Sequence, residues 1–333
     1  SGALAVGQTL VIRFPRVVHA VQPGETLFSI ANAYGVSIRQ LWQNNWYLGG
    51  NAAIIPGDIL VISYFDQILG SASLNGYAYP YIEPSLLDEQ LPYLTYLTPF
   101  TYGITSSGGL VPLEDVTLLS AARQRDVRPV MHLSTLTEYG QFDTQRGTLV
   151  LTDMAVQDQL ILEIQQVMRL RGYAGLDVDF EYIGAENRDA YTAFIQNITQ
   201  RLNAEGYPVV VALAPKTSSD QPGQLYEGHD YAALGAAANY VLLMTYEWGY
   251  TYGPPMAVAP LNKGREVLDY AGTQIDPEKI FMGMPNYGYD WTLPFVRGES
   301  QAESLSNVEA VNRAVRQNAA IEFDPTAQAP FYR

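Results

Sequence analysis

The stretch RGYAGLDVDFEY (residues 171–182) alternates apolar and acidic side chains at its centre. Because successive side chains of a β-strand point to opposite faces, a strand here places Asp177, Asp179 and Glu181 together on one face. A long amphipathic helical pattern precedes the stretch, as is typical of a strand in an α/β protein. Such a strand is at least partly enclosed, which raises the pKa of one or more of the carboxyl groups. The stretch therefore predicts a site of carboxylate chemistry.

Outward from this stretch, residues 70–333 repeat a pattern of strand, loop and helix, which implies a parallel sheet. The predicted strands are 74–81, 93–101, 127–133, 173–182, 209–214, 240–246 and 280–287, and the predicted helices include 113–125, 155–171, 188–206 and 263–271. Seven parallel strands favour an α/β fold of the (β/α)8 TIM-barrel class. An open doubly wound sheet is the alternative, although no Gly-rich phosphate loop follows the first strand.

Polar and aromatic side chains fall late in several predicted strands, where a TIM barrel builds its active site. These residues are Glu181, Lys216, Tyr246, Asn286 and Tyr287. Lys216 is predicted to lie on the rim of the barrel, with no assigned role. No eighth strand follows, and a seven-stranded barrel leaves two unpaired edges. We therefore expect the barrel domain, residues 70–333, to be incomplete at its C-terminal end.

Residues 16–64 form a separate pattern, with a strand at each end and two helices between them. Thr26 and Ser37 are suitable helix N-caps, and apolar residues follow each of them at helical spacing. The segments VQPGETL (21–27) and IPGDIL (55–60) closely resemble a LysM domain. That resemblance implies a βααβ module that binds glycans containing N-acetylglucosamine. A small spacer domain is the alternative.

The segment LAVGQTLVI (4–12) repeats the pattern of IIPGDILVI (54–62), including its Gly, Leu, Val and Ile positions. We interpret residues 1–15 as the remnant of a first LysM repeat, of which only the closing strand is present. On this interpretation we expect the natural protein to extend further upstream, where its localisation signals would lie.

The composition excludes several classes of partner. A formal net charge of -15 opposes binding to nucleic acid or to an anionic membrane, since both require a basic face. No apolar run is long enough to span a bilayer, and no signal-peptide pattern begins the sequence. The chain has no cysteine, and His19, His132 and His229 are widely scattered, so we interpret these histidines as surface or hydrogen-bonded residues rather than metal ligands.

The central stretch and two later segments resemble glycoside hydrolase family 18. The segment AGLDVDFE (174–181) resembles the fourth-strand signature D-G-x-D-x-D-x-E, with Ala174 in place of the first Asp. The segment MTYE (244–247) resembles the sixth-strand element M-x-Y-D, with Glu247 in place of Asp, and GMPNYG (283–288) resembles the seventh strand. The runs YEWGY (246–250) and GPPMA (253–257) resemble in particular the LysM-containing, spore cortex-lytic branch of the family.

The resemblance implies a substrate-assisted mechanism, in which the 2-acetamido group of the substrate attacks the anomeric carbon and one protein carboxylic acid suffices. It implies that Glu181 protonates the leaving oxygen and then activates water, while Asp179 holds the acetamide N–H. Asp177 shares a proton with Asp179 on this interpretation, or is chiefly structural. Tyr246 is expected to donate a hydrogen bond to the acetamide oxygen.

The remaining candidates are substrate-binding residues, and neither a cofactor nor a metal is expected. They are Tyr79, Glu247, Trp248, Asn286 and Tyr287. Glu247 is expected to contact a sugar rather than solvent alone. Asn286 and Tyr287 are expected to end a strand and so to reach the cleft, whereas Trp248 and Tyr287 have the alternative of being core aromatics.

The combined pattern predicts a retaining β-N-acetylglucosaminidase that hydrolyses peptidoglycan of the bacterial cell wall or spore cortex. We expect a monomer that acts outside the cytoplasm, at the cell wall or the spore, on peptidoglycan or a chitin-like glycan. The alternatives are a chitinase and a non-catalytic, chitinase-like lectin. The presence of Glu181 argues against the lectin, because that class usually lacks the acid.

Overall fold

The computed structural model describes residues 4–48, 53–65 and 69–333. The N-terminal domain contains strand β1 (Pro15–Ala20), helix α1 (Leu27–Tyr34), helix α2 (Ile38–Asn44), a 3-10 turn (Trp46–Leu48) and strand β2 (Ile59–Tyr64). Strands β1 and β2 pair antiparallel. Thr26 caps α1 by accepting the amide of Ser29 at 3.1 Å, and Ser37 caps α2 by accepting the amide of Gln40 at 3.0 Å. The predicted βααβ arrangement is confirmed.

Residues 4–14, which resemble the closing strand of a repeat, form no strand. A strand requires a neighbour that satisfies its backbone groups, and this segment pairs with no strand in the described ranges. Val11 is accordingly 87% exposed. The segment instead contacts the C-terminal region, where the Ile321 amide donates to the Val6 carbonyl at 2.7 Å.

The second domain contains the predicted alternation of strands and helices. Its strands are β3 (Asn75–Ala78), β4 (Tyr96–Pro99), β5 (Gly103–Ile104), β6 (Leu110–Val111), β7 (Arg128–Pro129), β8 (Met131–Ser134), β9 (Leu176–Asp179), β10 (Val209–Leu213), β11 (Tyr240–Leu243), β12 (Ile280–Met282), β13 (Tyr287–Asp290), β14 (Glu303–Ser306), β15 (Glu322–Asp324) and β16 (Ala329–Phe331). Its helices are α3 (Pro84–Gln90), α4 (Val116–Gln124), α5 (Thr144–Thr152), α6 (Met154–Arg171), α7 (Arg188–Asn203), α8 (Tyr231–Ala237), α9 (Leu261–Gln274) and α10 (Asn307–Gln317), with 3-10 turns at Leu91–Tyr93, Ala185–Asn187 and Pro277–Lys279. Among the described residues, no helix has the length and apolar character needed to cross a bilayer.

The parallel strands follow the order of the chain. One sheet has the order β3-β4-β7 and the other β8-β9-β10-β11-β12. Only Val130 separates β7 from β8, and its amide donates to the Leu97 carbonyl of β4 at 2.9 Å, so the two sheets continue into each other. The sheet curls strongly enough to bring Tyr96 of β4 and Phe281 of β12 within 6.4 Å, measured between ring centroids. Within the described ranges, no strand pairs with the outer edge of β3 or of β12.

The prediction of one long strand over residues 280–287 is wrong. Strand β12 ends at Met282, and Tyr287 begins a different strand, β13, which pairs antiparallel with β14. Within the described residues, strand β12 pairs only with β11. The last residue pair of this ladder is Leu243 with Met282. Asn286 and Tyr287 therefore do not end a barrel strand. They lead into an additional unit of β13, β14 and α10.

The apolar face of the central strand builds the largest core. Leu176, Val178 and Phe180 are fully buried in it, against helices α6 and α7. The Phe180 ring stacks on Tyr191 and on Phe194 of α7, with centroids 5.9 and 5.5 Å apart. Burial of three such side chains stabilises the domain by roughly 2 kcal/mol each. This packing fixes which face of the strand carries the acidic residues.

Helix α2 of the N-terminal domain packs directly on the second domain. The Arg39 guanidinium donates to the Arg125 and Asp126 carbonyls at 3.1 and 3.2 Å, and the Gln43 amide donates to the Pro92 carbonyl at 2.9 Å. The Arg125 guanidinium lies over the Trp42 ring at 4.6 Å. The two domains are therefore joined by an interface and not only by the connecting chain.

Candidate active site

The three acidic residues of the central strand lie together at its carboxyl end, on the inner face of the curled sheet. Strand β9 ends at Asp179, and Glu181 follows two residues later. Asp177 and Asp179 are buried, whereas Glu181 is partly exposed. The depth of the side chains therefore decreases along the strand, and the last carboxyl group is the one that solvent or substrate can reach.

Asp177 is bound by residues from two other strands. The Tyr77 hydroxyl of β3 donates to its Oδ2 at 2.5 Å, and His132 Nε2 of β8 lies 4.0 Å from the same oxygen. Burial raises the pKa of Asp177 to about 6, against the opposing effects of His132 and Tyr77. Sequence reasoning missed Tyr77, although it alternates with Tyr79 and Tyr81 in a predicted strand and that spacing places all three on one face.

The two carboxylate oxygens of Asp179 differ, because one lies near a histidine nitrogen and the other has no hydrogen-bond partner. Its Oδ2 lies 3.6 Å from His132 Nε2. Its Oδ1 is buried and accepts no hydrogen bond. A buried carboxylate oxygen without a donor costs free energy, and a donor supplied by a bound substrate would remove that cost. This oxygen is therefore available for an N–H group in the cleft.

Glu181 titrates close to neutral pH. Burial raises its pKa to about 7, and the charges of Asp179 and Glu247 act in the same direction against the effect of His132. The strand around it is held by His229, whose Nε2 lies 3.0 Å from the Phe180 carbonyl. Because His229 Nδ1 accepts the Ala214 amide at 2.9 Å, Nε2 carries the proton and donates to that carbonyl.

The sequence interpretation of the histidines is incomplete for His132. It is hydrogen-bonded, with Nδ1 2.6 Å from Thr101 Oγ1, but it is also fully enclosed beside two catalytic candidates. His132 and Asp179 are far apart in the sequence, so the sequence did not predict that they are neighbours. The strand order β8-β9 brings the two together, with His132 paired to Asp177 in the parallel register.

Tyr246 and Glu247 follow β11, which lies two strands from the carboxylate-bearing strand β9. Burial raises the pKa of Tyr246, and the charges of Asp179 and Glu181 add to the effect. Glu247 has a φ of 66°, a left-handed conformation that is uncommon for a non-glycine residue. Its carboxylate accepts hydrogen bonds from the Tyr287 and Tyr289 hydroxyls, at 2.5 and 3.0 Å to Oε1. Strand β13 therefore reaches the cleft through its tyrosines.

The other substrate-binding candidates occupy different environments. Tyr79 is half-exposed and stacks on Tyr81, with ring centroids 5.0 Å apart. Asn286 is exposed, and Trp248 is partly buried against the main core. Tyr79 thus has a half-exposed ring of the kind that sugars stack on. Trp248 packs on the core, and its contact with a sugar stays a prediction.

The prediction that Lys216 lies on the rim is wrong, because its side chain is only 2% exposed. Its Nζ donates to the Ser219 and His229 carbonyls, at 3.2 and 3.0 Å. Those two bonds close the loop after β10 and hold the backbone of His229, which in turn contacts Phe180. Lys216 therefore supports the strand that carries the acidic residues.

The raised pKa of Glu181 has a consequence for stability. Its folded-state pKa of about 7 exceeds its ordinary value of 4.5, so the folded protein binds more protons between these values and loses stability as the pH rises from 4.5 to 7. We expect Glu181→Gln to remove this loss, which amounts to about 3 kcal/mol. The melting temperature of the variant should exceed that of the parent at pH 8 and approach it at pH 4.5.

Glu299→Gln is the matched control for this measurement, because Glu299 is an exposed loop residue. It should leave the melting temperature unchanged at both pH values. An equal melting temperature for Glu181→Gln and the parent at pH 8 would contradict the buried, unpaired state of Glu181.

Together, the curled parallel sheet and the acidic cluster at the end of its central strand are typical of glycoside hydrolases of the TIM-barrel class. Residues 140–333 match the family described as Glycosyl hydrolases family 18, and residues 19–63 match the LysM domain. The chain belongs to glycosyl hydrolases family 18 and carries an N-terminal LysM domain, as the sequence motifs predict.

Individual relatives agree with this assignment. The cortical fragment-lytic enzyme of Bacillus subtilis (strain 168) is 41% identical over 245 residues, which are 74% of this chain and 57% of that enzyme. The crystal structure of the Bacillus megaterium QM B1551 spore cortex-lytic enzyme SleL is 36% identical, with a TM-score of 0.79 over 99% of this chain and 77% of that one. A chitinase from Chromobacterium violaceum ATCC 12472 is 23% identical and shares the fold, with a TM-score of 0.71 over 78% of this chain and 82% of that one.

Proposed function

We propose that this protein is a retaining, substrate-assisted β-N-acetylglucosaminidase that hydrolyses the peptidoglycan of the spore cortex. The observation that carries the proposal is the pairing of two carboxyl groups at the end of β9. Glu181 is accessible and holds a proton near neutral pH, and Asp179 beside it presents a buried oxygen without a donor. The first group suits general acid catalysis, and the second suits an amide N–H.

The proposed reaction begins with proton transfer from Glu181 to the glycosidic oxygen. The carbonyl oxygen of the substrate's 2-acetamido group attacks the anomeric carbon, the glycosidic bond breaks, and an oxazolinium ion forms. Asp179 accepts the acetamide N–H on Oδ1 and balances the positive charge of the ring. Water then attacks the anomeric carbon and gives its proton to the Glu181 carboxylate, which restores both the acid and the acetamido group.

Three neighbouring residues are assigned supporting roles in this reaction. Tyr246 faces the same carboxylates from β11 and keeps its hydroxyl proton because its pKa is raised. That proton suits a hydrogen bond to the acetamide oxygen. Asp177 is held by Tyr77 behind Asp179, and Glu247 extends the cleft toward β13.

The choice of cortex peptidoglycan rests on the relatives and on the LysM domain. The Bacillus subtilis relative is named for cortical fragments and the Bacillus megaterium relative for the spore cortex. This chain spans only 57% of the first enzyme's length, so the substrate is part of the proposal. A LysM domain bound to the same polymer would raise the local substrate concentration at the barrel. Such a protein would act outside the cytoplasm, at the cell wall or spore.

The activity should fall as the pH rises through about 7. Glu181 must be protonated to act as the acid, and its pKa is about 7, so deprotonation removes the reactive form at higher pH. We expect the basic limb of kcat/KM for soluble cortex fragments to have its midpoint near pH 7. A basic limb above pH 9 would contradict the assignment of Glu181 as the acid.

Product analysis tests the function itself. Purified cortex fragments and N-acetylglucosamine oligomers are digested in parallel, and the products are identified by mass spectrometry. Release of fragments with N-acetylglucosamine at the reducing end from cortex alone supports the proposal. Faster cleavage of the oligomers would make the protein a chitinase, and tight binding without products would make it a lectin.

A further inference from the structure

His132 is a buried residue for which the proposed reaction has no role. It lies on β8, next to β9, and is 2% exposed. Its Nε2 lies 3.6 Å from Asp179 Oδ2 and 4.0 Å from Asp177 Oδ2, between the two carboxylates. In the described part of the chain, no arginine or lysine forms an ion pair with either aspartate or with Glu181.

The groups on both sides of the ring are compatible with its protonated form. Its Nδ1 lies 2.6 Å from Thr101 Oγ1, which can accept from a ring N–H because the Tyr102 carbonyl at 3.0 Å and Ser134 Oγ at 3.1 Å are in reach of the hydroxyl's own proton. On the other side Nε2 faces only carboxylate acceptors. An imidazolium would therefore have an acceptor group on each side of the ring.

The other buried barrel histidine provides the contrast. His229 Nδ1 faces a backbone donor, the Ala214 amide, and its Nε2 faces the Phe180 carbonyl. This arrangement suits a neutral ring, and burial lowers the pKa of His229 to about 4. Burial also acts to lower the pKa of His132, but the close Asp179 carboxylate and the charges of Asp177 and Glu181 outweigh it and raise that pKa.

We infer that His132 is a positioning residue of the proposed glycosidase, which as an imidazolium holds Asp177 and Asp179 ionised side by side while Glu181 keeps its proton. The cluster then has one positive and two negative charges beside a neutral acid. Without the imidazolium, two adjacent buried aspartates would share a proton, and Asp179 would lose part of the charge that stabilises the oxazolinium ion.

The groups around the ring are consistent with this role. Asp177, Asp179 and Glu181 face it from β9 and its end, and the Tyr77 ring of β3 contacts it edge-on with centroids 5.6 Å apart. Phe100 covers another side at 4.8 Å. Thr101 and Ser134 supply neutral hydroxyls, which are 3.1 Å apart. His132 is thus the basic member of a cluster whose other titratable members are acids.

The first test observes the ring directly and needs no activity. The full chain is labelled with nitrogen-15 histidine, and the ring resonances are followed from pH 5 to pH 8, with His19→Gln and His229→Gln used for assignment. The inference expects His132 to remain an imidazolium at pH 7 while His229 stays neutral down to pH 5. A neutral His132 ring at pH 6 would overturn it.

The second test uses His132→Gln on soluble cortex fragments, with Glu299→Gln in an exposed loop as the control. His132 acts to lower the pKa of both Asp177 and Glu181, so loss of the cation should move both limbs of kcat/KM to higher pH, the acid limb by about one pH unit. We expect kcat at pH 6 to fall roughly tenfold, with a smaller change in KM. A purely structural role would lower kcat without moving the acid limb.

These tests separate the inference from the proposed function on which it rests. If the parent protein cleaves no cortex fragment, the function fails, and the nitrogen-15 titration still decides the state of His132. If the parent is active and the acid limb of His132→Gln matches that of the parent, only the inference is overturned. Failure of His132→Gln to fold leaves the titration of the parent as the deciding measurement.

Discussion

Glu181→Gln should lower kcat on soluble cortex fragments by a factor of roughly 10²–10⁴, the range expected for loss of a positioned general acid. Glutamine has nearly the shape of glutamic acid but no proton to give to the glycosidic oxygen and no carboxylate to activate water. Because Glu181 accepts the proton back in the second half of the reaction, both chemical steps lose their catalyst. Substrate binding does not depend on this proton, so KM should change little.

The experiment compares initial rates of Glu181→Gln and the parent at pH 6, where the acid is mostly protonated. Glu299→Gln, the exposed control, should retain the parental rate. Binding of fragments to the inactive variant, measured by calorimetry, would confirm that the cleft is intact. Parental turnover by Glu181→Gln would contradict the proposed mechanism.

Asp179→Asn should have the second largest effect, a fall in kcat of roughly 10²-fold, comparable to removal of one group that stabilises a charged transition state. The asparagine carbonyl can still accept the acetamide N–H, so the orientation of the substrate is partly kept. The negative charge is lost, however, and the oxazolinium ion is formed beside a neutral group. Since the charge matters most in the transition state, kcat should fall more than KM rises.

Asp269→Asn on the exposed face of α9 is the control for this substitution. It removes the same charge from the protein without touching the cleft, and should leave kcat unchanged. An equal loss in both variants would indicate an effect of net charge rather than of the site. A large rise in KM with parental kcat for Asp179→Asn would show that Asp179 only binds the substrate.

Several features of the fold were predicted correctly because their causes are local in the chain. Alternation of apolar and acidic residues gave the two faces of the central strand, and the buried side chains of Leu176, Val178 and Phe180 confirm it. Capping residues such as Thr26 marked the helices of the LysM domain. The family was also predicted from short motifs, whose residues are close together in sequence.

The predictions that proved wrong concern residues whose structure depends on partners far away in the sequence or on the course of a following loop. Residues 280–287 have the composition of one strand, but the ladder with β11 ends at Met282 and the chain turns into β13. Lys216 was predicted to lie on the rim from its place at the end of a predicted strand, whereas two carbonyls in the following loop accept hydrogen bonds from its ammonium group in a buried position. Neither the ladder nor the carbonyls have a signature in the sequence.

For this protein, the sequence alone determined that three carboxylates share one face of a buried strand and that the chain combines a LysM domain with a family 18 domain. The tertiary structure alone decided what surrounds those carboxylates. Tyr77 reaches Asp177 from a strand 100 residues away in the chain, and His132 reaches both aspartates from the adjacent strand. The side-chain period of a strand is set by its own backbone, whereas the protonation of its acidic residues depends on charges and hydroxyls that only the closing of the sheet brings within a few ångströms.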